Sequence, residues 1–261
     1  MISILQISDL HILPESHDTL IGVNTEFYFN AVLDLALLNH QYFDLILVTG
    51  DLAQDPCLQS YQRILVRLLQ TNTACICLPG NHDDFQLMQA VFNTSAVSCQ
   101  KQLFLKNWQI ISLNSQIIDS SAGYVEKTEL DFLESCLKAY PNLPTLIAVH
   151  HNCLPTHTVW LDTMTIKNSA ELLNLVKPYP QVKGITTGHI HQEMDVDTDS
   201  IRILGTPSTC FQFMPLSPVF SIDSKMPGYR VIKAYQDGKI ETQVTRLEGA
   251  LHGLESNPVE Y

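Results

Sequence analysis

Residues 75–83 read Cys75-Ile76-Cys77-Leu78-Pro79-Gly80-Asn81-His82-Asp83. Four apolar residues closed by Pro-Gly have the length and the punctuation of a buried strand. Three side chains that bind metals or move protons follow the turn at once. The same arrangement recurs on both sides of it. Ile4-Leu5-Gln6-Ile7 leads to Asp9 and His11, and Leu45-Ile46-Leu47-Val48 to Gly50 and Asp51. Leu146-Ile147-Ala148-Val149 leads to His150 and His151, and Gly184-Ile185-Thr186-Thr187 to Gly188, His189 and His191. Buried strands in open parallel sheets bring the loops at their carboxyl ends to one crevice. Five segments therefore deliver Asp, Asn and His to one rim.

Amphipathic stretches separate these strands. Phe27, Ala31, Leu35 and Leu38 fall at helical spacing behind Asn24, a cap residue. Leu130, Leu133 and Leu137 repeat the spacing, and Thr128 with Asp131 three residues on makes a capping-box variant. A third helix is expected over residues 169–176, stopped by Pro178. Gln109 to Leu113 adds another strand, so strands alternate with helices and imply an α/β fold with a largely parallel sheet. Past residue 190 the helices cease. Residues 194–196, 201–204, 229–235 and 240–247 read as antiparallel strands of the same domain, with Asp237-Gly238 as a hairpin turn. Residues 249–261 have little apolar periodicity and read as a tail.

Asp, Asn and His suit hard or borderline divalent ions, and no cysteine is expected at the rim. The set is too large for one ion. Two ions about 3.5–4 Å apart, bridged by a carboxylate, use all of it and clamp both oxygens of an in-line displacement. Gly50, Gly80 and Gly188 fit turns where backbone approaches the site closely. Asp9-x-His11 and Gly50-Asp51 alone are weak, because Asp and His also cap helices and line turns. Gly80-Asn81-His82-Asp83 is stronger, because Asn-His is an unusual choice of turn after a buried strand. Their joint placement at strand ends carries the inference.

The 261 residues carry 15 Lys and Arg against 27 Asp and Glu, a net charge of −12. That excludes a basic nucleic-acid face, and it admits an anionic substrate only where local positive charge is supplied. Two divalent ions against Asp9 and Asp51 leave about +2 at the site. No apolar run reaches the length of a membrane span, and no signal peptide is expected from the opening residues. Seven cysteines, mostly within apolar runs, read as reduced thiols in a cytoplasmic protein. His17, His40, His157 and His252 read as ordinary surface or core residues.

The blocks Asp9-Leu10-His11, Gly50-Asp51, Gly80-Asn81-His82-Asp83, His150-His151 and Gly188-His189-Ile190-His191 together resemble the metallophosphoesterase (calcineurin-like) superfamily. Further stretches are similar to its class III cyclic-nucleotide phosphodiesterase branch. They are residues 20–25, 49–55 and 188–193, and Thr206-Pro207-Ser208-Thr209-Cys210. The resemblance implies a four-layer α/β/β/α sandwich of two mixed β-sheets flanked by helices. The catalytic domain would span residues 1–247, with residues 248–261 as a C-terminal tail. One ion would take Asp9, His11 and His191, the other Asn81, His150 and His189, with Asp51 bridging. The ions would be iron, manganese or both, with zinc in some members.

The implied reaction is hydrolysis of 3′,5′-cyclic AMP to AMP by a metal-bridging hydroxide. Other phosphodiesters are an alternative (2′,3′-cyclic nucleotides, glycerophosphodiesters or nucleotide pyrophosphates), and a protein-binding scaffold that has lost its chemistry is a third. His11, Asp51, Asn81, His82 and His191 would contact the substrate. His82 would protonate the leaving oxygen, with Asp83 as its orienting partner. The chain departs from its relatives at Asn152-Cys153-Leu154, where a further His or a Pro is common. His151 stands either in the substrate pocket or behind the ligands, since neighbouring side chains of an extended loop point opposite ways. Trp160 either stacks on a nucleobase or packs on its own domain, and Phe211 and Phe213 are expected in the core.

Overall fold

The computed structural model describes residues 1–198 and 201–255. Its first half alternates β1 (Ile2–Ile7), α1 (Thr25–Asn39), β2 (Leu45–Thr49), α2 (Leu58–Leu69), β3 (Cys75–Leu78), α3 (Phe85–Val91) and β4 (Val97–Ser98). There follow β5 (Gln102–Leu105), β6 (Trp108–Leu113), α4 (Lys127–Ala139), β7 (Thr145–Val149), α5 (Ser169–Val176) and β8 (Val182–Thr187). The chain then runs through β9 (Met194–Asp197), β10 (Arg202–Gly205), β11 (Gln212–Phe213), β12 (Ile222–Asp223), β13 (Gly228–Ala234) and β14 (Ile240–Arg246).

Two six-stranded sheets result. One has the order β14-β13-β1-β2-β3-β4 and the other β5-β6-β7-β8-β10-β9. Strands β1, β2 and β3 run parallel, as do β6, β7 and β8, while β13 joins β1 antiparallel. Alternation along each strand divides its side chains between two faces. Ile4, Leu45, Leu47 and Ile76 meet Ile110, Leu146, Ala148 and Leu204 between the sheets. Leu5, Ile7, Ile46 and Val48 pack outward on α1, α2 and α3 through Val32, Leu33, Ile64, Leu68 and Met88. Ile111, Ile147, Val149 and Ile185 pack on α4 and α5 through Leu130, Leu133, Leu137, Leu172 and Val176. The layers are α/β/β/α, with two mixed sheets at the centre.

Three details differ from expectation. Strand β10 pairs antiparallel with β9 as expected, but on its other edge it runs parallel to β8, so its carboxyl end opens on the same rim as the others. Helix α1 has the expected cap, Phe27 N–H donating to Asn24 Oδ1 at 2.7 Å. Its buried face, however, is Tyr28, Phe29, Val32, Leu33 and Ala36, while Phe27 and Leu38 are 61% and 84% exposed. Nearly every turn of α1 is apolar on more than one side, so spacing alone selects no stripe. Helix α4 begins at Lys127 behind Glu126, without a side-chain cap.

Helices α2 and α3 carry no expectation from the sequence. A cysteine opens α2: Cys57 Sγ accepts from Ser60 N–H at 3.4 Å.

The stretch after β14 packs back on the chain. His252 N–H donates to Tyr28 Oη at 2.8 Å and Glu255 N–H to the Ile21 carbonyl at 3.1 Å. Leu251 and Leu254 lie against Val23, Tyr28 and Met226. The rest of the expected tail, residues 256–261, lies outside the described residues. All seven cysteines are free. Among the described residues no helix is long and apolar enough to cross a membrane.

Candidate metal centre

The loops after β1 and β2 run side by side and extend the parallel ladder past the sheet. Asp9 N–H donates to the Gly50 carbonyl at 3.0 Å, His11 N–H to Asp51 at 2.9 Å and Ile12 N–H to Leu52 at 2.9 Å. Asp9, His11, Asp51, His189 and His191 all have positive φ, between 45° and 65°. Left-handed backbone costs a residue with a Cβ on the order of 1–2 kcal/mol, and it persists where surrounding contacts over-determine it. The gain is direction, since each kink turns a side chain from the strand axis into the rim. A Cβ on Gly80 would fall 2.1 Å from Asp51 Oδ1, and one on Gly188 2.0 Å from Ser8 Oγ and 2.9 Å from Asp9 Oδ2. The expected close approaches are therefore present.

Asp9, His11, Asp51, His150, His151, His189 and His191 are buried, with Asn81 and His82 half-buried beside them. His191 Nε2 lies 3.5 Å from Asp9 Oδ1 and 3.2 Å from His11 Nε2. On the other side, His150 Nε2 lies 3.2 Å from Asn81 Oδ1. Asp51 Oδ2 stands between the two groups, 3.3 Å from His150 Nε2 and 3.8 Å from His11 Nε2. His150, His151 and His189 each bring a ring nitrogen within 4.8 Å of the others.

The second nitrogens fix the tautomers. His150 Nδ1 donates to the Thr49 carbonyl at 2.8 Å and His191 Nδ1 to the Phe211 carbonyl at 2.9 Å. His11 Nδ1 pairs with Gln54 Oε1 at 2.7 Å. With both Nδ1 atoms as donors, His11 and His191 present bare Nε2 lone pairs to each other. Burial, only partly offset by Asp51, pushes the His11 pKa down to about 3, so His11 brings no proton to the contact, and a cation bound here would draw on its lone pair.

His150 shows the same need differently. Burial lowers its pKa, but Asp51, Asp9 and the Thr49 carbonyl together outweigh burial and raise it to about 9, so positive charge is favoured there. Burial raises the Asp51 pKa, yet His150, His82 and His11 together hold it well below the usual carboxylate range. Asp51 Oδ2 and both ring nitrogens of His189 are buried without a hydrogen-bond partner. Orphaned acceptors and hard-to-borderline N and O donors in two adjoining groups fit a pair of divalent ions.

Several expectations change in detail. Adjacent side chains do not diverge at His150-His151: both rings join the cluster, 4.9 Å apart by centroids, with His151 4.7 Å from His189. The carboxylate of Asp83 accepts from Leu52, Ala53 and Gly80 N–H groups and from Tyr61 Oη, all between 2.9 and 3.1 Å. It thus ties the β2 and β3 loops together. Burial and Asp51 raise its pKa to about 6 against those donors. His82 is held through its backbone, which donates to Asp51 Oδ1 at 3.0 Å.

Trp160 packs edge-on against Phe213 and Phe220 at 4.9 and 5.3 Å. Phe213 lies flat on His191 at 4.1 Å, so the expected core aromatics also wall the first group. Cys210, expected away from the rim, brings its sulfur within 4.8 Å of ring nitrogens of His11 and His191. Its place follows from the strand before it, because β10 runs parallel to β8 and ends at Gly205. Ser208 Oγ then donates to the Asp9 carbonyl at 2.8 Å and anchors that loop.

Comparison with known proteins agrees with this geometry. The calcineurin-like phosphoesterase family profile matches residues 2–193. A 3′,5′-cyclic-nucleotide phosphodiesterase of Nostoc sp. is 40% identical over 250 residues, covering 96% of this chain and 94% of the relative. The 3′,5′-cyclic adenosine monophosphate phosphodiesterase CpdA of Escherichia coli K12 is 40% identical over 248 residues, covering 94% and 90%. A dimetal phosphatase of Danio rerio has the same fold, with a TM-score of 0.67 at 12% identity over 98% of this chain and 99% of its own.

Proposed function

This chain belongs to the calcineurin-like phosphoesterase family, and from that membership and the geometry of its rim we propose that it hydrolyses 3′,5′-cyclic AMP to AMP with two divalent ions. The observation that carries the chemistry is the position of Asp51 Oδ2, buried without a hydrogen-bond partner between two groups of acceptors. The substrate rests on cyclic-nucleotide phosphodiesterases about 40% identical over nearly the whole chain.

Asp9, His11 and His191 would hold one ion and Asn81, His150 and His189 the other, with Asp51 available to both. Iron or manganese, with zinc as a further candidate, suits these donors. When bound, two such ions supply positive charge to the phosphate oxygens and a water acidic enough to attack near neutral pH.

The protein's own residues do the remaining work. His11, Asp51, Asn81, His82 and His191 line the position of the phosphate and keep it in line. His82 is half-buried, its ring 5.1 Å from that of His11, and its backbone is pinned to Asp51. From there it holds a proton for the departing ribose 3′ oxygen. The aromatic wall of Phe213 and Trp160 keeps His191 still and water away from its far side.

The same reading places the protein in the cytoplasm with its thiols reduced. A net charge of −12 favours a small nucleotide over nucleic acid or an anionic membrane. A panel of phosphodiesters assayed with the manganese-loaded chain tests the substrate. Cyclic AMP is expected to be turned over in preference to 2′,3′-cyclic AMP and bis(p-nitrophenyl) phosphate. Turnover of the last with none of cyclic AMP would overturn the substrate and leave the dimetal chemistry standing.

A further inference from the structure

Asn81 and His82 occupy the centre of a tight turn, closed where Asp83 N–H donates to the Gly80 carbonyl at 3.4 Å. Backbone bonds of this kind cluster at about 2.9–3.0 Å, so the turn's own closure is weak. A side chain from the other sheet closes it a second time. Gln116 follows β6, and its Nε2 donates to the Gly80 carbonyl at 3.0 Å and to the Asp83 carbonyl at 2.5 Å. Those two carbonyls bracket Asn81 and His82.

The partners fix which end of the amide faces the turn. Carbonyls only accept, so the NH2 end alone satisfies both, one hydrogen to each. The loop that carries Gln116 is itself braced. Gln116 N–H donates to Asn114 Oδ1 at 2.8 Å, and Asn114 N–H to Glu129 Oε2 at 3.0 Å. Lys101 holds the other oxygen of Glu129 at 2.7 Å, and Tyr124 N–H donates to the Ser115 carbonyl at 2.9 Å. From the opposite side, Asp51 Oδ1 accepts from His82 N–H at 3.0 Å and Asp83 Oδ2 from Gly80 N–H at 2.9 Å. The turn is thus gripped from both sheets, and it presents Asn81 Oδ1 3.2 Å from His150 Nε2.

We infer that Gln116 is a positioning residue for the second ion: its amide, donating to the carbonyls at both ends of the turn, sets where Asn81 presents Oδ1. The inference rests on the two-ion reading above and goes beyond it, since Gln116 belongs to neither group of ligands. A histidine ligand is steered through its second ring nitrogen. Asn81 would bind through the end of a short side chain, so its aim follows the backbone that carries it. Without the amide hydrogens the Gly80 carbonyl keeps only the long bond from Asp83, and the Asp83 carbonyl loses this donor. The turn is then free to shift, and Oδ1 shifts with it. Space filling is the competing role, and it makes no demand on donors: any side chain of this length would serve.

The test is manganese binding to the full chain, read as free Mn(II) by electron paramagnetic resonance without substrate, beside a thermal melt. Gln116→Met keeps length and bulk without donors, and Gln116→Glu keeps shape but offers only acceptors. Gln116 is half-buried, so both variants are expected to fold. Each is expected to keep one tight ion and to bind the other about 10–100-fold more weakly. Gln116→Glu is the sharper variant, because its added charge alone would tighten cation binding. Unchanged affinity for both ions in Gln116→Met, equal weakening of the two, or a Gln116→Glu that holds both as tightly as the unmodified protein would overturn the proposal. If Gln116→Met does not fold, Gln116→Lys decides instead. Its ammonium donates to both carbonyls, so it should bind the second ion more tightly than Gln116→Glu, the reverse of the order that charge dictates; the order of charge refutes the role. A single ion in the unmodified protein would overturn the two-ion reading and the role with it, whereas two ions there and no effect at Gln116 would sink the role alone.

Discussion

The carboxylate of Asp51 faces His150 across the seam between the two sheets, Oδ2 lying 3.3 Å from His150 Nε2. Asp51 follows β2 of one sheet and His150 follows β7 of the other, so their contact exists only when the layers are correctly stacked. The same oxygen lies 3.8 Å from His11 Nε2. A bridging ligand needs this position, and folding itself builds it.

Asp51→Asn therefore removes the shared charge while keeping shape. The amide oxygen still accepts from His82 N–H, so the fold should survive. Hydrolysis of cyclic AMP is expected to fall by at least about 10²-fold, the scale of losing one strong electrostatic contact in the transition state. A steady-state rate beside a thermal melt checks both halves. Unchanged activity would remove Asp51 from the bridging position.

His82→Ala separates proton transfer from metal binding. The His82 backbone bond to Asp51 does not depend on its side chain, so both ions should stay bound. The rate should fall by about 10²–10⁴-fold, the contribution of a positioned general acid. Metal content measured on the same sample distinguishes a lost proton donor from a lost ion. A few-fold loss with both ions retained would show that the leaving oxygen takes its proton elsewhere.

The strand ends were legible because buried strands are short apolar runs, and polar residues of one kind directly after them are conspicuous. Asp9, His11, Asp51, Asn81, His150, His189 and His191 stand where that pattern put them. Cys210 was not legible. Its place depends on β10 pairing parallel to β8, and a four-residue strand does not state its direction. The face of α1 was hidden by excess, since Phe27 and Leu38 are as apolar as the residues that are buried. Gln54 and Ser115 reach histidines from distant segments. Such contacts exist only after the loops have met.

Gly188 offers a purely steric test, because its backbone is not in the left-handed region. A methyl group there would meet Ser8 Oγ at 2.0 Å, the Thr49 carbonyl at 2.7 Å and Asp9 Oδ2 at 2.9 Å. The serine side chain can turn aside; the carbonyl, within a central strand, cannot. Gly188→Ala is expected to destabilise the fold by about 1–3 kcal/mol, the range for overpacking a close-packed interior. It should also displace Asp9 and weaken the first ion. Urea unfolding with and without manganese measures both effects, and an alanine variant as stable as the parent would mean that this approach is looser than it stands here.

Removing the metals tests the need for cations at the seam. Without them, the Nε2 atoms of His11 and His191 face each other at 3.2 Å, and Asp51 Oδ2 and both ring nitrogens of His189 have no hydrogen-bond partner. Unfolding separates these groups, whereas bound ions reward only the folded arrangement. An ion present at about a hundred times its dissociation constant adds about 2.7 kcal/mol. For a chain of this size that corresponds to a fall of about 5–10 °C in melting temperature when a chelator removes it. Readdition of manganese should restore the melt, and calcium should restore it less, because imidazole is a poor ligand for a hard ion that prefers oxygen. A melting temperature indifferent to chelation would mean that these nitrogens tolerate one another unaided, and the case for two ions would fall with it.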